Sequence, residues 1–299
     1  MRILVVGATG FLGSYVLRSC KQKSIIAFGS STSPNNNQDL LTIDFTQTHE
    51  VKSVVSKSMV DCIINCAAIT NVDECERNPE LARSVNATGP KLLAEICNST
   101  GIRLIHVSTD SVFDGESGGY LEDSVPNPIN VYARNKLEAE RLISKSMKNY
   151  VIARTNLYGL NPNGKHLLNW ILSCLVNDKE MVGFEDAIFN PLWVRDLAEC
   201  LVELASNCSY AGTLHCAGDE TFSKYEFIKR IAWYLGYHNA KIKKGLSSDV
   251  TTTLAKRPNR TYLSNSKMKE LLKTKIHILG EVMQDSSFDI YRSKELKKI

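Results

Sequence analysis

At 299 residues, the chain is long enough for one large α/β domain or two modest ones. Its composition, 43% hydrophobic and 23% charged with a net charge of +4, is that of an ordinary globular protein. The mild charge, with no basic run interleaved with aromatics, argues against a nucleic-acid partner, and no apolar run approaches the roughly 20 residues of a membrane span.

In chain order, short runs rich in Val and Ile predict strands at residues 2–6, 25–29, 41–44, 60–66, 102–108 and 150–154, with amphipathic segments between them. Near-continuous apolar strands alternating with helices imply a parallel sheet covered on both faces. Between them the stretch SSTSPNNNQ, residues 30–38, reads as a polar loop. The second half is less regular. Leu167, Leu168, Ile171, Leu172 and Leu175 form a helical stripe, and a further helix is expected over about 194–205. Ser223 with Glu226 reads as a capping box opening a helix that stops at Gly236. A smaller, mixed lobe is expected to begin near Asn156. The KELKKI tail reads as a solvated terminus.

The start, MRILVVGATG, lacks the charged, apolar and cleavage regions of a signal peptide. The nine cysteines, mostly in apolar segments (Cys62, Cys66, Cys97, Cys174, Cys200), include no C-x-x-C. They read as reduced, buried thiols of a cytoplasmic protein, not as a disulfide frame or metal site.

GATGFLG places Gly7, Gly10 and Gly13 directly after the first strand and into the first helix. Such glycines permit a tight turn and let backbone approach a pyrophosphate at a helix amino terminus. The first half, residues 1–155, is therefore expected to be a doubly wound, Rossmann-type dinucleotide-binding domain. Residues 156–299 would be mainly a mixed α/β substrate-binding lobe, with some segments returning. At the end of the second strand, where NAD sites usually carry an acid, the chain reads Gly29-Ser30-Ser31-Thr32. The missing acid favours NADP over NAD, with Ser30, Ser31 and backbone amides left to hold the 2′-phosphate.

Tyr132 and Lys136, in NVYARNK, are four residues apart and share a helix face. A free phenol has a pKa of about 10, and a nearby ammonium is expected to lower it toward the range useful for proton transfer.

With these features, the chain resembles the extended short-chain dehydrogenases/reductases and, more closely, the dTDP-4-dehydrorhamnose reductase family. The strings NCAAITNVDECE (from Asn65), VSTDSVFDG (from Val107), RTNLYG (from Arg154) and RPNRTYLSNSK (from Arg257) carry that closer likeness. The resemblance implies a catalytic trio. Tyr132 would be general acid, Lys136 would lower its pKa and hold the nicotinamide ribose, and Thr109 would meet the developing oxyanion. It further implies cofactor contacts at Thr9, Phe11 and Leu12 in the phosphate loop and at Asp44 and Phe45 by the adenine. Others would fall at Cys66, Ala67 and Ala68 after the fourth strand, at Val107 and Ser108, and at Asn156. Thr70, Val72, Thr109, Asp110 and Asn156 would line the substrate. Asn86 fits a structural hydrogen bond and a role in the site equally well.

The activity so implied is NADPH-dependent reduction of a 4-keto nucleotide sugar, dTDP-4-dehydro-L-rhamnose in the first place. The family pattern D-Q-x-G-x-P-T is only partly kept, as Asp186-Ala187-Ile188-Phe189-Asn190-Pro191-Leu192, which loosens the identity of the sugar. Two alternatives remain: an epimerase or dehydratase using tightly held NAD, and a regulatory subunit like that of methionine adenosyltransferase. Dehydratases tend to carry Asp-Glu after the threonine, whereas here Asp110-Ser111 follows. No acidic cluster supports a metal. Helix surfaces of such folds often pair, so a homodimer is compatible, with no surface singled out. Tyr158 and Trp193 are expected in the core.

Overall fold

The computed structural model describes residues 1–32, 40–161, 164, 166–207, 209–250 and 253–293. Most of the loop expected over 30–38, the KELKKI tail and Cys208 lie outside the described residues. The first half contains β1 (Arg2–Val6), α1 (Phe11–Gln22), β2 (Ile26–Ser31), β3 (Leu40–Thr42), α2 (Thr48–Ser58), β4 (Cys62–Asn65), α3 (Val72–Arg77), α4 (Pro79–Arg83), α5 (Gly89–Thr100), β5 (Arg103–Thr109), α6 (Val131–Ser146) and β6 (Tyr150–Thr155). There follow β7 (Leu157–Tyr158), α7 (Leu167–Val176), β8 (Met181–Phe184), β9 (Ile188–Phe189), β10 (Leu192–Trp193), α8 (Val194–Ser206), β11 (Gly212–Cys216), β12 (Phe222–Ser223), α9 (Lys224–Tyr234), β13 (Ile242–Gly245), α10 (Ser266–Leu271) and α11 (Leu279–Val282).

The central sheet runs β11-β6-β5-β4-β1-β2-β3, with every neighbouring pair parallel. This is the doubly wound Rossmann order, extended by one strand at the β6 edge. Alternation along each strand feeds two cores. Ile3, Val5, Ile64 and Ile105 pack with Val16 of α1 and Leu197 and Leu201 of α8. Leu4, Val6, Ile63 and Leu104 pack with Val51 and Val55 of α2, Leu93 and Ile96 of α5, and Ile143 of α6. Each such side chain, fully buried, contributes about 1.5–3 kcal/mol, so both faces are held by apolar burial.

Six of the seven sheet strands were predicted, with ends that differ by a residue or two. β11 was not: Gly212, Thr213 and His215 break its apolar run, yet it pairs along β6 from Gly212–Val151 to Cys216–Thr155. Helix α8, over the region expected to be helical, packs on α1 and so belongs to the sheet layer.

Outside the central sheet, the second half forms short pairs: β8 with β13 and β7 with β10, both parallel, and β9 with β12, antiparallel. The expected capping box opens α9, with Glu226 N–H on Ser223 Oγ at 3.1 Å and Ser223 N–H on Glu226 Oε2 at 3.0 Å. Beyond α9, Gly236 takes a left-handed φ of +80°, the conformation that suits glycine and turns the chain. Phe227 of α9 meets Tyr158 and Phe189 edge-on. Tyr158 and Trp193 are both core residues, as expected.

The RPNRTYLSNSK string ties β9 and the segment after β5 together. Arg260 N–H reaches Gly115 O (3.0 Å), Thr261 N–H reaches Ile188 O (2.9 Å) and Gly119 N–H reaches Tyr262 O (2.8 Å). Among the described residues, no helix is long and apolar enough to cross a membrane, and no three His, Cys, Asp or Glu side chains gather as a metal site.

Candidate active site

Strand β5 ends on Thr109, at the carboxyl edge where ligands of doubly wound sheets bind. Asn130 caps α6, its Oδ1 accepting the Ala133 N–H at 2.8 Å, and its own Nδ2 is anchored on Lys256 O at 2.9 Å. That cap fixes where α6 starts, and hence places Tyr132 in its first turn and Lys136 one turn on. Thr109 lies close enough to Tyr132 to lower its pKa. Its hydroxyl also lies 3.1 Å from Asp110 Oδ1 and accepts the Ser111 N–H at 3.2 Å. Asp110 Oδ2 takes a bond from Asn156 Nδ2 at 2.8 Å. The fold thus brings Thr109, Asp110, Tyr132 and Asn156 together at the ends of β5 and β6 and the start of α6.

One electrostatic expectation needs correction. Burial raises the Tyr132 pKa above its ordinary value, against the smaller lowering by Thr109, and Asp110 adds to the rise. Lys136 does not bring it down, because its Nζ is turned to β5. There it donates to Val107 O at 2.6 Å and lies 3.0 Å from His106 Nε2. Burial pushes Lys136 itself down to about 8, with Glu140 one turn on opposing the shift. The Ser108 hydroxyl donates to Glu140 Oε1 at 2.5 Å.

The glycine loop fits a pyrophosphate cradle. Gly7 has φ +78°, and a Cβ there would fall 2.8 Å from the Ala67 backbone; at Gly13 one would fall 2.3 Å from Gly7 O. Side chains are excluded, leaving backbone amides at the start of α1. Thr9 and Gly10 are exposed in this loop, whereas Leu12 is buried and Phe11 packs on Tyr15 and His166. Of Cys66, Ala67 and Ala68 after β4, Ala67 lies directly against Gly7. No acid ends β2, so the 2′-phosphate reading stands on that side. Ser30, however, is 2% exposed and its Oγ accepts the Gly7 N–H at 3.3 Å. It shapes the loop; Ser31, also buried, and exposed Thr32 follow at the strand end. Asp44 turns its Oδ1 to the Thr46 hydroxyl (2.6 Å) and N–H (2.9 Å), bonds that hold its pKa below the usual value. Phe45 lies against Gly89, where a Cβ would come within 2.5 Å of the ring.

Asn86 makes a pair of hydrogen bonds to the loop after β4. Its Oδ1 accepts the Ile69 N–H and its Nδ2 donates to Ile69 O, each at 2.9 Å, bracketing the loop that carries exposed Thr70 toward Val72. The Asp186–Leu192 segment is likewise tied down. Asp186 accepts from the Ser247 N–H (2.8 Å), the Ser247 hydroxyl (2.6 Å) and Asn259 Nδ2 (3.2 Å). Three residues missed at the sequence level belong to the neighbourhood: Asn65, His106 and Lys224. The Lys224 ammonium lies 3.2 Å over the Phe189 ring and feels the Asp110 carboxylate, and burial pushes its pKa down to about 7. Only its position beside the capping-box serine could have drawn attention to it.

A Rossmann sheet with a glycine loop and a Thr–Tyr–Lys constellation at its carboxyl edge defines an extended short-chain dehydrogenase/reductase. The chain belongs to the RmlD substrate binding domain family, whose model matches residues 1–286. It is 33% identical to the probable low-salt glycan biosynthesis reductase Agl14 of Haloferax volcanii, over 90% of this chain and 91% of that one. It is 32% identical to dTDP-4-dehydrorhamnose reductase of Mycobacterium tuberculosis, over 75% and 72%. It is 30% identical to methionine adenosyltransferase 2 subunit beta of Xenopus tropicalis, over 90% and 82%. Among solved structures, dTDP-4-dehydrorhamnose reductase of Bacillus anthracis in complex with NADP superposes with a TM-score of 0.79 at 26% identity, covering 92% and 95% of the two chains.

Proposed function

We propose that this protein is an NADPH-dependent reductase of 4-keto nucleotide sugars, converting dTDP-4-dehydro-L-rhamnose to dTDP-L-rhamnose. The observation that carries this reading is the nearness of Thr109, at the end of β5, to Tyr132, in the first turn of α6, at the carboxyl edge of the sheet. Bound NADPH supplies a hydride to the sugar carbonyl carbon. Tyr132 gives its phenolic proton to the oxygen as negative charge develops there, leaving a phenolate and an alcohol. Burial keeps the phenol protonated until that moment. Thr109 donates a hydrogen bond to the same oxygen, and Lys136, once its ammonium turns from β5 toward Tyr132, favours the phenolate left behind. Asp110 and Asn156, bonded to each other, orient the sugar hydroxyls. The acid-free end of β2 favours NADPH over NADH, with Ser31 and Thr32 and nearby amides receiving the 2′-phosphate.

A regulatory role has one specific support, the likeness to the methionine adenosyltransferase subunit over most of both chains. Steady-state oxidation of NADPH and, in parallel, NADH with enzymatically made dTDP-4-dehydro-L-rhamnose separates the readings. Turnover faster with NADPH supports the reductase. No turnover with this or other 4-keto sugar nucleotides, in protein shown to bind NADPH, favours the regulatory role.

A further inference from the structure

Asn65 and His106 face each other across β4 and β5, at 1% and 0% exposure. The Ala67 backbone N–H points to Asn65 Oδ1 at 3.1 Å. A backbone amide only donates, so the side-chain amide is fixed with Oδ1 toward Ala67 and Nδ2 toward His106. Asn65 Nδ2 is 3.1 Å from His106 Nδ1. A donor there requires a lone pair on Nδ1, which places the ring proton on Nε2. Nε2 in turn is 3.0 Å from Lys136 Nζ. Because Nε2–H is a donor, the contact closes only when Nζ offers a lone pair, that is, when Lys136 is a neutral amine. One amine hydrogen then goes to Val107 O. An ammonium has no lone pair and would meet Nε2–H proton to proton.

We propose that His106 is a positioning residue that responds to the charge on Lys136: its Nε2–H holds the neutral amine against β5, and protonation of Nζ releases it toward Tyr132. The Ala67 amide, acting through Asn65, selects the tautomer that makes the contact. The step adds one proton from solvent to the Nζ lone pair and exchanges one hydrogen bond, with no other bond changed. It rests on the roles given above to Tyr132 and Lys136.

The groups facing Nζ are compatible with both states. From α6, Glu140 attracts the ammonium, although its carboxylate is already shared by Arg154 of β6 at 2.7 Å and Ser108 of β5. Beyond β4, burial pushes the Cys66 thiol up to about 12, so it is neutral. His106 is held neutral by burial and by Lys136, and Tyr132 on α6 stays a phenol. With Lys136 titrating at about 8, both of its forms are populated near neutral pH.

Nitrogen NMR of the full chain labelled with ¹⁵N-histidine, between about pH 6 and pH 10, tests this directly. The His106 ring is the one whose signals vanish in His106→Gln or, should that variant not fold, the one whose pH response vanishes in Lys136→Met. The expected result is a neutral ring protonated on Nε2, with a shift step centred at about 8. A ring protonated on Nδ1, or one protonated on Nε2 with no step, overturns the proposal. Asn65→Asp supplies a second arm. Its carboxylate accepts from both Ala67 N–H and Nδ1–H, so the ring proton should move to Nδ1 and the step should rise by about one pH unit, tenfold in proton affinity. An unchanged tautomer in that variant also overturns it. Neither arm uses substrate or NADPH, so failure here and failure of the reductase reading are separate results.

Discussion

Arg154 and Glu140 form a buried ion pair, Nη2 to Oε2 at 2.7 Å with both side chains 5% exposed, that locks β6 to α6 beneath Lys136. Arg154 Nε adds bonds to the same carboxylate at 3.1 and 3.2 Å, and its guanidinium lies over the Phe113 ring. Removing one partner leaves the other charge buried alone, which costs about 3–5 kcal/mol. Glu140→Ala should lower the stability to chemical denaturation by that amount, whereas Glu138→Ala, at an exposed pair on the same helix, should cost under about 1 kcal/mol.

Gly13→Ala places a methyl 2.3 Å from Gly7 O and 2.8 Å from the Ala8 Cα, both backbone atoms that cannot swing aside. The expected outcome is a loss of about 1–3 kcal/mol in stability. The displaced loop should also weaken NADPH binding, read by fluorescence titration.

Tyr132→Phe removes only the proton donor. Turnover should fall by about 10²–10⁴, the usual contribution of a positioned acid. NADPH affinity should stay within about threefold, since the aromatic ring is retained. Equal turnover of variant and wild type would contradict the role.

The pH dependence follows from Lys136. Its pKa is lowered by burial to about 8, so its charge is complete at lower pH and is lost as pH rises through about 8. If the charged form supports the phenolate, kcat should decline above about pH 8. A profile that is level to about pH 10 would count against this, because an ordinary lysine keeps its charge to about 10.4.

Lys224 feels the Asp110 carboxylate, and burial pushes its pKa down to about 7. A sugar nucleotide carries an anionic diphosphate, and a charge-assisted hydrogen bond is worth about 1.5–3 kcal/mol. Lys224→Met should therefore raise KM for the sugar nucleotide by about tenfold or more, with little change in kcat. An unaltered KM would remove Lys224 from the substrate's surroundings.

The sheet was legible because parallel strands buried on both faces read as apolar runs, which is true of CIIN in β4 and RILVV in β1. GTLHC in β11 has no such run and owes its strand to pairing with β6, a tertiary effect. Tyr132 and Lys136 were legible because helical spacing is local. His106 and Asn65 were not, since a single histidine or asparagine in a strand reveals nothing until β4 and β5 lie side by side. The same blindness hid the neighbours of Lys136 and Ser30. Both side chains have nearer partners, in His106 with Val107 and in Gly7, that spacing along the chain does not show.

The central claim is hydride delivery from NADPH to the sugar's fourth carbon, and isotope transfer tests it most directly. NADPH deuterated at the transferable position of its nicotinamide ring would be turned over with dTDP-4-dehydro-L-rhamnose, and the product examined by mass spectrometry and proton NMR. The account predicts one deuterium at the fourth sugar carbon and NADP⁺ in equal amount. A converted sugar without deuterium, its hydride returned internally from a retained cofactor, would contradict it in favour of epimerase or dehydratase chemistry.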